Sequence, residues 1–495
     1  MLVAGLDVGT SGCKVVVYNL EGDVKASHSH SYAEEGTKGY REIDPMIVLG
    51  AVKKCLENVS KELEEPIRAL AIATLGESVV CVDEKGSILG KAMVTGDKRG
   101  IAEIDEILKC ISAKQIMEIT GASLSEMYSL PKFVWMNKNT DMIKKAQYIF
   151  LFEDYIGYYL TGKRMVSSSS ASRTMIYDIE KKGWSEELLD IAGINEEQMS
   201  KVVDSGTIIG TILPEIAEEL ELPKSLQVVT GGHDQECAAL GAGVVSGGVA
   251  EDGHGTCEVM NVMLGKLMKT EYMRKRDLAC VPGVIPETYM TNIEITTCGI
   301  LMNWSRDCIF EGIRTKCERN GQSFFEYMDE IASDIETDIL ALPQFGSSGN
   351  PDIDYDAKGL IWGLTVHTRP EEIYRALKES MAFQMKMAYE DLQVLGINVN
   401  QIALTGGGAV SPLTNQIRAD VFGVQTVSLK NNEAGTLGCM IIAAKALGYY
   451  ASFEEGVKRA VKVKEHYEPQ KAKKNYYETK YKRYKRLYKT MHKFV

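Results

Sequence analysis

The sequence lacks several features that characterise other classes of protein. Its formal net charge is -12 rather than positive, which argues against nucleic acid as the main partner, since a phosphate backbone requires a cationic surface. Its eleven cysteines are odd in number and scattered, and no CxxC pair occurs, which excludes a zinc ribbon and a thioredoxin motif. Scattered thiols are typical of a reducing compartment, so we expect a cytoplasmic protein.

The sequence also lacks the signals of a leader or a membrane anchor. Its start, MLVAGLDVGT, is apolar for only six residues and has no basic lead, so we expect no signal peptide. No apolar run is long enough to span a bilayer, so we expect no membrane partner. At 495 residues the chain is too long for a single core and predicts two domains.

Strand-like and helical segments alternate along the chain, which predicts an α/β fold. Two segments, VAGLDVGTSGCKVVVY at residue 3 and VAEDGHGTCEVMNVML at residue 249, both place a Gly-Thr pair in a turn between β-rich runs. This weak internal repeat suggests two related domains that face each other across a central cleft. We predict domains over residues 1–243 and 244–495.

The segment GLDVGTSGCK places polar groups in a tight turn after a buried strand. Glycine lets backbone N–H groups turn toward an anion, and Thr10, Ser11 and Lys14 add donors of the right sign. Asp7 can hold hydrated Mg²⁺, which prefers carboxylates and water. An ordinary hairpin turn would also explain the segment. The second turn, Gly255-Thr256, favours phosphate binding, because a nucleotide tail needs two such turns.

The segment ALTGGGAVSPLTNQIRAD places three glycines between a strand and a helix. Without side chains, Gly407 and Gly408 offer a flat surface on which a purine can lie, and the following helix N-terminus favours a negative group. Asn415 lies one turn into that helix, within reach of a ligand. Close packing of the glycines is the alternative explanation.

The segment GGHDQECAALGAG, residues 231–243, has three possible roles. Asp234 can be a catalytic base, which is the interpretation we favour. His233 and Cys237, with His254 and Cys257 further on, could instead bind zinc, but their spacing fits no usual pattern. A buried turn with a capping aspartate is the third possibility.

The C-terminal stretch is rich in lysine and tyrosine. Its tyrosines at 477, 481, 484 and 488 are spaced by four, three and four, which predicts one face of a terminal helix. We expect the tyrosines to dock this helix and the basic side to be solvated. A nucleic-acid or membrane role for the basic side is the alternative.

Taken in order, the motifs resemble those of the FGGY carbohydrate kinases, whose fold belongs with hexokinase and actin. The resemblance runs over almost the whole chain and rests on these segments: GLDVGTSGCK, GYREIDPMIVLGAV, TGDKR, SLPKFVWMNKN, GGHDQECAALGAG, GHGTCE, KGLIWGLTVHTRPEEIYRALKESMAF, TGGGAVSPLTNQIRADVFG and NEAGTLGCMIIAA. It implies two ribonuclease H-like domains, with the sugar on the N-terminal side and the nucleotide on the C-terminal side.

The resemblance also implies the reaction, which is transfer of the γ-phosphoryl group of ATP to a sugar or polyol hydroxyl. Asp234 would be the base, and Asp7 and Asp234 would place Mg²⁺. The remaining nucleotide contacts implied by the resemblance are Thr10, Ser11, Lys14, Gly255 and Thr256 for the phosphates, and Gly407, Gly408 and Asn415 for adenine and ribose.

The substrate side departs from the family pattern. The resemblance implies sugar contacts from Gly76, Glu77, Asp97 and Asp234, with His233 beside them. LGES stands where many pentulose kinases have Gln-Met-His, and Gly76 replaces the Arg of glycerol-kinase-like members. We expect a ketose such as a pentulose, or a polyol, as the substrate of a homodimeric enzyme.

Two alternatives come from other functional classes. One is a non-catalytic sugar- or nucleotide-binding protein of the same fold, suggested by the unusual GHGTC sequence. The other is a metal-dependent hydrolase that uses His233, Cys237 and His254.

Overall fold

A computed structural model describes residues 1–36, 39–354 and 356–492. The chain folds into two compact units, each built from separate segments. The first unit comprises Met1–Val245, Met263–Thr291 and Glu433–Lys462, and the second comprises Ser246–Val262, Asn292–Asn432 and Val463–Val495. The units are discontinuous, so they do not coincide with the predicted ranges 1–243 and 244–495. The last residues, 493–495, lie outside the described part of the chain.

The strands of the described ranges are, in chain order, β1 (Leu2–Val8), β2 (Gly12–Asn19), β3 (Val24–Ser31), β4 (Glu42–Ile43), β5 (Ile67–Thr74), β6 (Val79–Val82), β7 (Ala92–Met93), β8 (Tyr148–Leu151), β9 (Met165–Ser167), β10 (Tyr177–Asp178), β11 (Gly183–Trp184), β12 (Lys201–Val203), β13 (Ile208–Thr211), β14 (Gln227–His233), β15 (Val249–His254), β16 (Glu258–Leu264), β17 (Val281–Pro282), β18 (Tyr289–Ile295), β19 (Leu340–Leu342), β20 (Leu360–Trp362), β21 (Gln401–Gly406), β22 (Gln425–Leu429) and β23 (Val463–Tyr467).

The α-helices of the same ranges are α1 (Pro45–Lys61), α2 (Ile104–Cys110), α3 (Ala113–Thr120), α4 (Ser129–Asn139), α5 (Met142–Lys145), α6 (Phe152–Thr161), α7 (Ser168–Ser172), α8 (Glu186–Ala192), α9 (Pro214–Glu219), α10 (Asp234–Gly241), α11 (Glu271–Lys275), α12 (Gly299–Trp304), α13 (Glu311–Arg319), α14 (Phe324–Ala332), α15 (Pro370–Val394), α16 (Pro412–Phe422), α17 (Ala434–Ala446), α18 (Phe453–Ala460) and α19 (Lys474–Met491). Short turns of other helix types occupy Glu196–Gln198, Ser305–Ile309, Gly407–Val410 and Lys471–Lys473.

The first unit is built on a six-stranded sheet with the order β13-β14-β5-β1-β2-β3. Strand β1 pairs antiparallel with β2 and parallel with β5, which in turn pairs parallel with β14. Alternate residues of β1 enter different cores: Leu6 packs in the core that contains residues of α1, and Val3 packs with residues of α17. Because both faces of the sheet are covered, β1 is a continuous apolar run rather than an alternating one.

The second unit contains most of a seven-stranded sheet with the order β17-β18-β16-β15-β21-β22-β23. Its centre repeats the topology of the first sheet, since β15 pairs antiparallel with β16 and parallel with β21. The predicted α/β fold of two related domains is confirmed. Among the described residues, none of the helices has both the length and the apolar character needed to cross a bilayer.

The terminal helix α19 docks as its tyrosine spacing predicts. Tyr477, Tyr481, Tyr484 and Tyr488 are all buried, while Lys482, Arg486 and Lys489 are exposed. A buried ion pair adds to this packing, because the Lys480 ammonium lies 2.5 Å from the carboxylate of Glu379 on α15.

Candidate active site

The first predicted phosphate turn joins β1 to β2 in the first unit. The Gly9 N–H donates to the Gly12 carbonyl at 2.9 Å, and the Tyr32 hydroxyl donates to the Gly9 carbonyl at 2.6 Å. Ser11 is exposed and Thr10 is half-buried at this turn. The Lys14 ammonium lies 2.7 Å from the carboxylate of Glu433. Glu433, the residue before α17, therefore lies beside this turn.

Three carboxylates converge beside this turn. Burial raises the pKa of Asp7 to about 7, and the charges of Asp234 and Glu433 raise it further, while Lys14 and His233 oppose the increase. Clustered carboxylates of this kind fit a hard divalent cation, which would relieve their mutual repulsion. The structure therefore brings together the two predicted metal ligands, Asp7 and Asp234, and adds Glu433.

Asp234 is the first residue of α10 and follows directly after β14, which lies between β13 and β5 in the sheet. Its side chain is 26% exposed, which leaves the carboxylate accessible to a ligand. Burial raises its pKa; His233 lowers it, whereas Glu236 and Glu77 raise it. A raised pKa makes a carboxylate a better proton acceptor.

His233 lies between two carboxylates. Its Nδ1 is 2.6 Å from Glu236 Oε2, and its Nε2 is 3.3 Å from Asp234 Oδ1. Its backbone N–H donates to the Ser169 hydroxyl at 3.1 Å. Burial opposes protonation of this imidazole, but the charges of Glu236 and Asp234 raise its pKa overall. The sequence does not reveal the contact between His233 and Glu236, because an acidic residue is common in the first turn of a helix.

Glu77 lies in the same group and is paired with an arginine that the sequence did not single out. The Arg173 guanidinium contacts the Glu77 carboxylate and lies 4.9 Å from the centre of the Tyr128 ring. Burial opposes ionisation of Glu77, but Arg173 and His233 lower its pKa to about 2. Gly76 permits this packing, since a Cβ there would lie 2.8 Å from Arg173 Cγ and 3.0 Å from His233 Cδ2.

Asp97 is fully engaged within the protein. Its two carboxylate oxygens accept hydrogen bonds from the backbone N–H groups of Arg41 and Arg99 and from the Arg99 guanidinium. The carboxylate has only 1% of its surface exposed. Asp97 anchors Arg99 in this structure, and its role as a sugar contact stays a prediction.

The second unit holds a cavity of about 1310 Å³. The predicted nucleotide contacts Gly255, Thr256, Gly407 and Gly408 all line it. The Gly255-Thr256 turn is fixed to the start of α12, because the backbone N–H groups of Cys298 and Gly299 donate to the carbonyls of Thr256 and Gly255, each at 3.0 Å.

Asn415 is engaged within the protein. It is fully buried, and its Nδ2 donates to the carbonyls of Ala409 and Ser411, each at 2.8 Å. It is not among the residues that line the cavity in the described part of the chain. Its amide supports the backbone that follows the three glycines, and its contact with a ligand stays a prediction.

Two of the three glycines make room for His254. A Cβ at Gly406, whose φ is +74°, would lie 2.6 Å from the His254 carbonyl oxygen, and a Cβ at Gly408 would lie 2.8 Å from His254 Nδ1. A Cβ at Gly407 would meet nothing within 4 Å. Gly407 therefore presents open backbone to the cavity, whereas Gly408 lines the cavity and also packs against His254, as Gly406 does.

His254 belongs to a buried charge cluster. Ligand atoms of His254, Glu258 and Cys298 lie within 4.8 Å of one another, which is a spacing that a metal ion could use. The Arg418 guanidinium already contacts Glu258, and its Nε lies 3.5 Å from Asp252 Oδ2. Arg418 thus supplies one positive charge beside the two carboxylates, and burial raises the pKa of Glu258 to about 7, which favours its neutral form.

The zinc site considered from the sequence is not formed. Cys237 lies in the first unit, buried in the core that also contains Cys439 of α17, and a hydrogen bond with Cys439 together with burial raises the pKa of its thiol. Across residues 1–36, 39–354 and 356–492, no three-ligand group includes His233 or Cys237. The three residues suggested for a metal-dependent hydrolase therefore do not form one metal site among the described residues.

Comparison with known proteins gives a consistent result along the chain. The domain described as "FGGY family of carbohydrate kinases, N-terminal domain" matches residues 2–241, and the corresponding C-terminal domain matches residues 254–447. The chain is 28% identical over 506 residues to a xylulose kinase of Staphylococcus epidermidis, with 99% of this chain and 96% of that protein covered.

Solved structures share the fold. A ligand-bound xylulose kinase from Lactobacillus acidophilus superposes with a TM-score of 0.90 at 24% identity and full coverage of both chains. A glycerol kinase from Plasmodium falciparum with ADP superposes with a TM-score of 0.85 at 20% identity, covering 97% of each chain.

Proposed function

Because the chain belongs to the FGGY family of carbohydrate kinases, we propose that it transfers the γ-phosphoryl group of ATP to a hydroxyl of a ketose such as a pentulose. The observation that carries the proposal is the position of Asp234, at the start of α10, beside Asp7 and the β1–β2 turn. The non-catalytic alternative has no support, because the matching family models and the curated relative are those of carbohydrate kinases.

Asp234 acts as the base in this proposal. Phosphoryl transfer requires mostly positioning and charge neutralisation, so the protein needs one proton acceptor at the attacking hydroxyl. The Asp234 carboxylate is partly exposed and has a raised pKa, and both properties suit that role.

Mg²⁺ fits the carboxylates of the first unit, where Asp7 and Asp234 would hold it. When bound, the ion neutralises charge on the phosphates. Thr10, Ser11 and Lys14 would contact the phosphates from the same unit. Lys14 would exchange its contact with Glu433 for one with phosphate.

The cavity of the second unit is the proposed place for the rest of the nucleotide. Gly255 and Thr256 would contact phosphate, and the open backbone at Gly407 would border the adenosine. A volume of about 1310 Å³ is ample for a nucleotide, since small-molecule sites run from roughly 300 to 1,000 Å³.

The substrate end favours an uncharged sugar. Each basic side chain that acts on Asp234 contacts its own carboxylate: Arg173 contacts Glu77, and His233 contacts Glu236. Such a group offers hydrogen bonds but no unpaired positive charge for a sugar acid. The Staphylococcus epidermidis relative is named a xylulose kinase, which agrees with a ketose.

A panel of pentuloses, polyols and aldonates, assayed for ADP release with ATP and Mg²⁺, tests the proposal. We expect turnover with at least one neutral ketose and little with aldonates. Absence of turnover with every neutral sugar, while ATP still binds, would contradict it. No disulfide joins the cysteines in the described part of the chain, which supports a cytoplasmic location, and the homodimer stays a prediction.

A further inference from the structure

Glu236 is a buried carboxylate whose burial calls for an explanation. It lies on the first turn of α10, two residues after Asp234, and its side chain is only 2% exposed. Burying an ionised carboxylate is costly unless it is paired and hydrogen-bonded. The partner that the structure provides is His233 Nδ1, at 2.6 Å.

That contact fixes the orientation of the His233 ring. With Nδ1 bound to Glu236, the other ring nitrogen, Nε2, faces Asp234 Oδ1 at 3.3 Å. A ring flipped by 180° would direct carbon atoms at both carboxylates. Gly76 leaves room for the ring in this orientation, since a Cβ there would lie 3.0 Å from His233 Cδ2.

We propose that Glu236 is a positioning residue that holds His233 so that Nε2 faces Asp234 and the sugar oxygen beside it. With Nδ1–H donating to Glu236, Nε2 is left to accept a hydrogen bond from a hydroxyl of the bound sugar, next to the hydroxyl that Asp234 deprotonates. This inference rests on the proposed kinase function. It makes Glu236 act on the substrate only through His233.

The competing explanation is that Glu236 merely stabilises the start of α10, since an acidic side chain favours a helix N-terminus. A purely structural role would change stability and affect ATP and sugar alike. A positioning role affects the sugar selectively and disappears when His233 is absent.

A double-mutant cycle separates the two explanations. Glu236→Leu keeps the bulk but removes the acceptor, and we expect kcat/KM for the sugar to fall at least tenfold, with KM for ATP unchanged. Glu236→Gln keeps an acceptor for Nδ1 and should retain most of the activity. In a His233→Asn background, the further change Glu236→Leu should alter kcat/KM less than twofold.

The outcomes that overturn the inference are equally specific. Equal losses from Glu236→Leu in the two backgrounds would contradict it, as would a Gln variant as impaired as the Leu variant. Should the Leu variant fail to fold, Glu236→Met takes its place in the cycle. Glu153→Gln is the matched control: Glu153 is a buried carboxylate of the same unit that contacts the Ser167 hydroxyl at 2.7 Å, and its change should leave sugar kcat/KM within twofold.

Failure of the kinase proposal would be seen separately, in the wild-type enzyme. If wild-type protein releases no ADP with any sugar, the proposed function fails before the cycle begins. If wild-type protein turns over and the cycle is additive, only the role of Glu236 fails.

Discussion

At the scale of single residues, the two units place carboxylates where burial controls their protonation. Glu251 of the second unit is buried, accepts a hydrogen bond from Asn261 Nδ2 at 2.7 Å and contacts the Thr405 hydroxyl. Burial raises its pKa to about 7 despite these hydrogen bonds. Its folded form therefore holds a proton at pH values where the unfolded chain, with the ordinary pKa of 4.5, has lost it.

Glu251→Gln should become stabilising as pH rises. A raised carboxyl pKa gives stability that is present below pH 4.5 and lost as pH increases through about 7. Because glutamine does not titrate, the variant avoids this loss of stability, which is at most about 3 kcal/mol in the free energy of unfolding. Thermal unfolding at pH 5 and pH 8 checks it: Tm of the variant relative to wild type should be higher at pH 8, and an equal difference at both values would contradict the assignment.

The three glycines before α16 give a second prediction at this scale. Gly408→Ala forces a Cβ against His254, so we expect a lower Tm. Gly407→Ala meets no neighbour and should leave Tm almost unchanged, but its methyl group enters the cavity and should raise KM for ATP. Melting curves and ATP kinetics of the two variants check this, and equal effects on Tm would contradict it.

At the scale of elements, the helix pair α10 and α17 supports the candidate base. Helix α17 is buried on almost every residue, from Ala434 to Ala444, and packs against α10, which begins with Asp234. Gly438 makes this close approach possible, since a Cβ there would collide with the Cys237 carbonyl oxygen. A helix that is apolar all round is typical of a fully buried position.

Gly438→Ala should push the two helices apart. We expect a loss of about 1–3 kcal/mol in the free energy of unfolding, together with reduced kcat, because Asp234 moves with α10. Gly50→Ala in α1 is the control, since its Cβ would meet nothing within 4 Å and alanine should stabilise that helix by roughly 0.5–1 kcal/mol. Denaturant unfolding measures both, and similar effects of the two changes would contradict the packing argument.

At the scale of the whole molecule, the sequence predicts the structural features that depend on residues close to one another along the chain. The Gly-Thr turns and Asp234 each follow a strand directly, and the triple glycine begins at the last residue of β21. The pairing of Arg173 with Glu77 joins residues 96 positions apart, and no local pattern reveals it. Residues 433–462 return to the first unit through long-range contacts, which no local pattern reveals either. The uniformly apolar sequence of α17 indicates only that this helix is buried.

The central claim is that Asp234 is the base of a sugar kinase, and one variant tests it most directly. Asp234→Asn preserves the size of the side chain and removes its basicity. With a neutral ketose that wild-type enzyme phosphorylates, kcat of the variant should fall by about 10²- to 10⁴-fold, while ATP binding measured by calorimetry persists. A variant that retained kcat within tenfold of wild type would contradict the claim.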